Sequence, residues 1–311
     1  MSQDTMIPTV DPMLPPKQDW AGNLAALDHT VIKVPDLVEG ADWYNRFLGL
    51  TVADRRGGIA YLASPVSGQI VLGLAEGGTG LDYMSFRVHE GDGLDRLAHR
   101  MKSAGVAYDD SADRTRPDTE RALRLTLPEG QTKQIMQAAP RDKPSTRGLT
   151  PGALDIRTSH LQLRTPDVMG LSRFVQDALG FRVTNYVPTP DGDNHMIQFT
   201  RINDYHHQLA ILAGKPGLHH VALSMDKDDF FAFLTHIERE HIPVEYGPGR
   251  HYEVRSLFAY VRDPFGNRIE VAGPMAYVGH DYTPSTVEHE HWYHMNMWGP
   301  APPKTWFEEW T

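Results

Sequence analysis

The stretches "LDHTVIKVPDLVEGADWYNRFLGLTV" (27–52) and "TSHLQLRTPDVMGLSRFVQDALGFRV" (158–183) are two copies of one pattern. Each opens with alternating apolar residues around a histidine (His29, His160), passes through Pro-Asp, continues at helical spacing and stops at Leu-Gly. Alternation is strand periodicity, an aspartate before an apolar 3.6-residue period is a helix start, and the glycine is its stop. A second pair follows: "GLDYMSFRVHEGDGLDRLAHRMKSAGVAY" (80–108) matches "GLHHVALSMDKDDFFAFLTHIEREHIPVEY" (217–246), again strand into helix. A third pairs "RLTLPEGQTKQIMQAAP" (124–140) with "AYVRDPFGNRIEVAGP" (259–274), the latter reading as two strands joined by an Asp-Pro-Phe-Gly turn. Helices are expected at 38–48, 92–104, 168–179 and 227–240. Each half is then a pair of βαβββ-like units, and the fold class is α+β, with surface helices on a curved, mixed or antiparallel sheet.

The polar segment "APRDKPSTRGLTPGALDI" (139–156), rich in Pro, Gly and charge, separates the copies. The expected organisation is a leader at 1–21, an N-terminal half at 22–140, a linker at 141–156, a C-terminal half at 157–280 and a tail at 281–311. The 311 residues suffice for two domains. A net charge of −10 without a dense basic run argues against a nucleic-acid surface. The leader has neither a basic nor an apolar signal region, and no stretch approaches the ~18 apolar residues of a membrane span, so a cytoplasmic protein is expected. With no cysteine, thiolate chemistry is excluded, and any metal must be held by histidine and carboxylate.

The two halves differ in chemistry. His160 has a counterpart in His29, but His220 aligns with Tyr83 and Glu270 with Gln134. Only the C-terminal half can present two imidazoles and a carboxylate, the set that leaves positions open on a non-haem Fe(II); Mn(II) fits the same donors. A lone histidine on a strand is more often packed than ligating, so the case rests on the set.

The run Gly249-x-His251, an eight-residue spacer, Tyr260, Asp263-Pro264-x-Gly266 and Glu270 resembles the signature of the type I extradiol dioxygenases, the catechol 2,3-dioxygenase family of the vicinal oxygen chelate superfamily. The resemblance covers about 22–275, with Ala259 standing where a larger apolar residue is usual. It implies two tandem vicinal-oxygen-chelate domains, each of paired βαβββ modules forming a curved open barrel, the first vestigial and the second catalytic. It implies His160, His220 and Glu270 as metal ligands and His207, in "HQLAI", as the acid–base histidine, a role suited to an imidazole pKa near ~6.5. His251 and Tyr260 match the pair that hydrogen-bonds substrate oxygen or dioxygen. Strand alternation puts His160 with Gln162, and His220 with Ala222, on one face, so His219 points away; His206 is the alternative to His207.

The implied reaction is extradiol cleavage of a catechol by O2, giving a muconic semialdehyde-type product in aromatic compound degradation. Phe199, Met196, Tyr246, Arg250 and Trp292 are candidate pocket residues, a mostly apolar set that favours a neutral, alkyl- or aryl-substituted catechol. The family implies a homo-oligomer, a tetramer or larger. The tail, rich in His and Trp without regular spacing, reads as a lid or subunit contact. Two other functions share the fold: a glyoxalase-like isomerase or epimerase, and a metal-free binding protein. The first draws ligands from both halves of a paired module, which this N-terminal half lacks; the second has no use for a three-ligand set.

Overall fold

A computed structural model describes residues 24–89, 91–110, 116–117, 119, 121–128, 133–138, 153–287 and 295–311. The N-terminal half contains β1 (Leu24–Val34), α1 (Leu37–Leu48), β2 (Thr51–Arg56), β3 (Ile59–Ala63), β4 (Ile70–Glu76), β5 (Leu81–Val88), α2 (Gly93–Ser103), β6 (Asp109–Asp110), β7 (Arg121–Thr126) and β8 (Lys133–Ala138). The C-terminal half repeats the order with β9 (Arg157–Thr165), α3 (Val168–Leu179), β10 (Arg182–Pro188), β11 (His195–Arg201), β12 (Leu209–Ala213), β13 (Gly217–Ser224), α4 (Lys227–Arg239), β14 (Val244–His251), β15 (Leu257–Arg262) and β16 (Arg268–Ala272). Beyond it come β17 (Ser285–Thr286), β18 (Asn296–Trp298) and a short helix, α5 (Lys304–Glu308). The leader and most of the expected linker lie outside the described residues.

The shared Pro-Asp and Leu-Gly are the ends of the two matching helices. Asp36 accepts from the Val38 and Glu39 amides at the start of α1, and Gly49 closes it at φ 72°. Asp167 accepts from the Gly170 amide at the start of α3, and Gly180 closes it at φ 77°. Both devices satisfy backbone groups that a helix end leaves unpaired. Each helix then buries an apolar face, Trp43, Tyr44 and Phe47 on α1 and Leu171, Val175 and Leu179 on α3.

Strand order in the first sheet is β2-β3-β4-β1-β5-β8-β7-β6, and the second follows it as β10-β11-β12-β9-β13-β16-β15-β14, with β17 and β18 added at the edges. Each βαβββ unit closes by pairing its first strand in parallel with its last, and the two units of a half meet through antiparallel first strands. This is the mixed sheet expected, with one refinement: His251, Tyr260 and Glu270 sit on three successive strands, because Tyr252, Glu253 and Val254 turn the chain between β14 and β15.

The halves share one core. Tyr44 donates to the Asp263 carboxylate at 3.1 Å, Asn267 donates to the Lys33 carbonyl at 3.1 Å, and its side-chain oxygen accepts from the Gly80 amide at 2.8 Å. The Asp-Pro-Phe-Gly turn, which aims β16, is thereby docked on the N-terminal half. Among the described residues no helix is long and apolar enough to cross a membrane.

Candidate metal centre and active site

His160 projects from β9, His220 from its antiparallel neighbour β13, and Glu270 from β16, which pairs with β13. The register sets His160 opposite Ala222 and Ala222 opposite Glu270, so the three side chains share one face of the sheet. Their ligand atoms all lie within 4.8 Å of one another and all three residues are buried. Glu270 Oε2 is 3.1 Å from Nε2 of His160 and 3.1 Å from Nε2 of His220.

The donor set fits a divalent cation. Burial alone would raise the Glu270 pKa, but the neighbouring histidines, His160 first, hold it well below the usual carboxylate range. Burial drives His220 down to about 4, so the carboxylate faces imidazole that is neutral at ordinary pH. Among the described residues, no Lys or Arg pairs with Glu270, and its Oε1 has no hydrogen-bond partner. A buried negative charge with a bare oxygen and convergent imidazole nitrogens is the environment a metal completes.

Around this set lies a cavity walled by Phe199, His207, His251, Tyr260 and Trp306, with Gln162 beside the ligands. The His207 ring lies 4.3 Å from that of His160, centroid to centroid, and Phe199 packs edge-on against it. His206 is buried too but does not line the cavity, and its Nδ1 is 3.0 Å from Nδ1 of His207. The expected ordinary pKa of His207 needs correction: burial, followed by the His160 and His206 rings, pushes it well below 6.5. His207 therefore presents a neutral base. His251 Nε2 is 3.2 Å from the Tyr260 hydroxyl and 3.7 Å from Glu270 Oε1, and its ring stacks on Phe258. Burial and the nearby Glu270 charge raise the Tyr260 pKa well above 10, which keeps the phenol a donor.

Other expected contacts lie elsewhere. Tyr246 stacks behind Tyr260 at 5.4 Å and donates to Asn296, and Arg250, on β14, donates to the Arg255 carbonyl in the connection to β15; neither lines the cavity. Met196 packs with Phe199 against Val187 and Val287, off the wall. Trp292 lies outside the described residues. The tail has no periodicity that would place Trp306 in the sequence, whereas the alternation of Gln162 with His160 on one strand face does place Gln162.

The N-terminal half carries a different polar centre on the matching strands. His29 is 2.7 Å from Asp28 and 3.2 Å from the Tyr83 hydroxyl, which is 3.0 Å from that of Tyr61. The alignment of Gln134 with Glu270 is off by one residue. Met84 pairs with Gln134 and Ser85 with Ile135, whereas Val221 pairs with Ile269 and Ala222 with Glu270, so Ile135 holds the backbone position of Glu270.

The sequence matches the profile of the Glyoxalase/Bleomycin resistance protein/Dioxygenase superfamily over residues 26–124 and 157–271, one match in each half. The chain belongs to this superfamily. It is 24% identical over 273 residues to a manganese-dependent 2,3-dihydroxybiphenyl 1,2-dioxygenase of Geobacillus genomosp. 3, covering 80% of this chain and 84% of that protein. It is 26% identical over 276 residues to metapyrocatechase 2 of Cupriavidus necator, covering 81% and 82%. The homoprotocatechuate 2,3-dioxygenase of Brevibacterium fuscum, solved with 3,4-dihydroxyphenylacetate, superposes with a TM-score of 0.79 at 25% identity, over 96% of both chains. Within the superfamily the chain is an extradiol dioxygenase, an oxidoreductase.

Proposed function

We propose that this protein cleaves a catechol with O2 beside the diol at a mononuclear Fe(II) or Mn(II) held by His160, His220 and Glu270. The observation that carries the reading is the buried, convergent His-His-Glu set with an unpartnered carboxylate oxygen, found in the C-terminal half. When bound, the metal supplies Lewis-acid polarisation of the diol and open positions for substrate and O2.

The chain's own residues do the rest. Neutral His207 takes a proton from a substrate hydroxyl and returns it later in the cycle, which general acid–base chemistry makes worth roughly 10²–10⁴-fold in rate. Tyr260 remains protonated and donates to oxygen at the centre, and His251, braced on Phe258 and in contact with the Tyr260 hydroxyl, orients it. Phe199 packs on the face of the cavity beside His207, and Trp306 closes another wall. Among the described residues no Lys or Arg lines the cavity, which supports a neutral catechol over a carboxylated one. The protein acts as a homo-oligomer, a tetramer, in the cytoplasm.

The test is mass spectrometry of the product made under ¹⁸O2 from catechol, with 3,4-dihydroxyphenylacetate as competitor. Two labelled oxygens in a ring-opened semialdehyde, and a higher kcat/KM for the neutral catechol, are expected. The aldehyde oxygen exchanges with water and can lose its label, so it is a ring-opened product with no label at all that excludes dioxygenase chemistry, and a preference for the carboxylate excludes the neutral substrate class.

A further inference from the structure

His219 has no part in the scheme above, yet it is buried beside the ligand His220. Strand alternation turns it to the other face of β13, where the C-terminal segment packs. Its Nε2 is 2.6 Å from the Trp306 carbonyl oxygen, and its Nδ1 is 2.9 Å from Nδ1 of His220. Arg268 Nη1 also stands 3.0 Å from that Nε2.

We infer that His219, anchored on the backbone carbonyl of Trp306, is a positioning residue that fixes the tautomer and ring orientation of His220 and so couples the C-terminal segment to the metal centre. This rests on the reading of His160, His220 and Glu270 as ligands. A carbonyl oxygen only accepts, so the 2.6 Å contact requires the proton of His219 to sit on Nε2. Arg268 only donates, so its Nη1 bonds elsewhere, to the Glu309 carbonyl at 3.0 Å. A second proton on His219 would set two buried cations 3.0 Å apart. The ring is therefore neutral, and its Nδ1 is a lone pair.

That lone pair accepts the Nδ1 hydrogen of His220, which leaves Nε2 of His220 bare. Nε2 then faces Glu270 Oε2 at 3.1 Å, acceptor against acceptor, an arrangement that a cation between them reconciles. A ligating imidazole whose far nitrogen donates to a fixed acceptor is held in orientation and made more basic. Here the acceptor is itself clamped by α5, which Arg268 holds through the Thr305 carbonyl at 2.9 Å while pairing with Glu245.

The test measures Mn(II) affinity of the full chain by chelator competition, alongside the unfolding temperature of the metal-free protein. Leucine at 219 removes the acceptor; asparagine places an oxygen where Nδ1 stands. His219→Leu is expected to weaken Mn(II) binding by about 10–100-fold and to change its paramagnetic resonance spectrum, while His219→Asn recovers most of the loss. Should His219→Leu fail to fold, His219→Gln, which keeps a donor for Trp306 but no acceptor at Nδ1, takes its place with the same expected loss. Unchanged affinity in the leucine variant overturns the inference, as does an equal loss in the asparagine variant. If the unsubstituted chain binds no Mn(II), the ligand reading itself fails and takes the inference with it.

Discussion

At the scale of single residues, the account turns on which polar side chains are paired within the chain and which await something else. Glu270 is buried with one oxygen free of hydrogen bonds, while its neighbours are imidazoles. Glu270→Gln keeps the shape and removes the charge, so Mn(II) or Fe(II) affinity is expected to fall by two orders of magnitude or more, read by chelator competition. His207→Phe has a different signature. It removes a base that packs against His160 without being one of the ligands, and Phe keeps a ring there, so kcat should drop by about 10²–10⁴-fold with metal content unchanged; loss of metal would instead make His207 part of the centre. Most of the candidate centre was legible in sequence because the repeat sets His160 against His29 but His220 against Tyr83, and the spaced run from His251 through Tyr260 to Glu270 marks the half that differs. Trp306 was not, since its place depends on how the tail folds back against β13 and β15.

At the scale of elements, periodicity and helix-end chemistry were enough to place the four helices, but register was not. A one-residue offset puts Ile135 where the sequence repeat aligns Gln134 with Glu270, because aligned letters do not show how strands pair. The N-terminal strands are held by another device. Asp28 is buried against His29, Arg87 and Arg116, and although burial opposes it, the Arg116 charge foremost, with the His29 hydrogen bond and the Arg87 charge, holds its pKa far below the ordinary value. Asp28→Asn should cost about 3–5 kcal/mol of stability, the range for breaking a buried ion pair, and leave Mn(II) affinity intact. On β14, Glu245 pairs with Arg268 and Arg262, which outweigh its partial burial and lower its pKa from 4.5 to about 2. A depressed carboxylate pKa means that this stabilisation is complete above pH 4.5 and is lost as pH falls towards 2. Comparing denaturant unfolding at pH 7 and pH 3, Glu245→Gln should lose less on acidification than the parent, by at most about 2 kcal/mol after solvent screening.

At the scale of the molecule, the two halves of the repeat are joined through a common core. One apolar cluster runs through both halves, joining Phe47 of α1 to Phe233 of α4, and the turn that aims Glu270 is bonded to Tyr44, Lys33 and Gly80. The N-terminal half is thus part of the support for the centre. Calorimetry should show a single unfolding transition, and two resolved transitions would mean that the halves are independent. The central claim is tested most directly by loading the protein anaerobically with Fe(II), adding catechol, and admitting O2 while following oxygen uptake and absorbance. The account predicts one O2 consumed per catechol with the appearance of a yellow ring-opened product, and neither signal from Glu270→Gln. No oxygen uptake by the loaded protein, or the same uptake after Glu270→Gln, would contradict it.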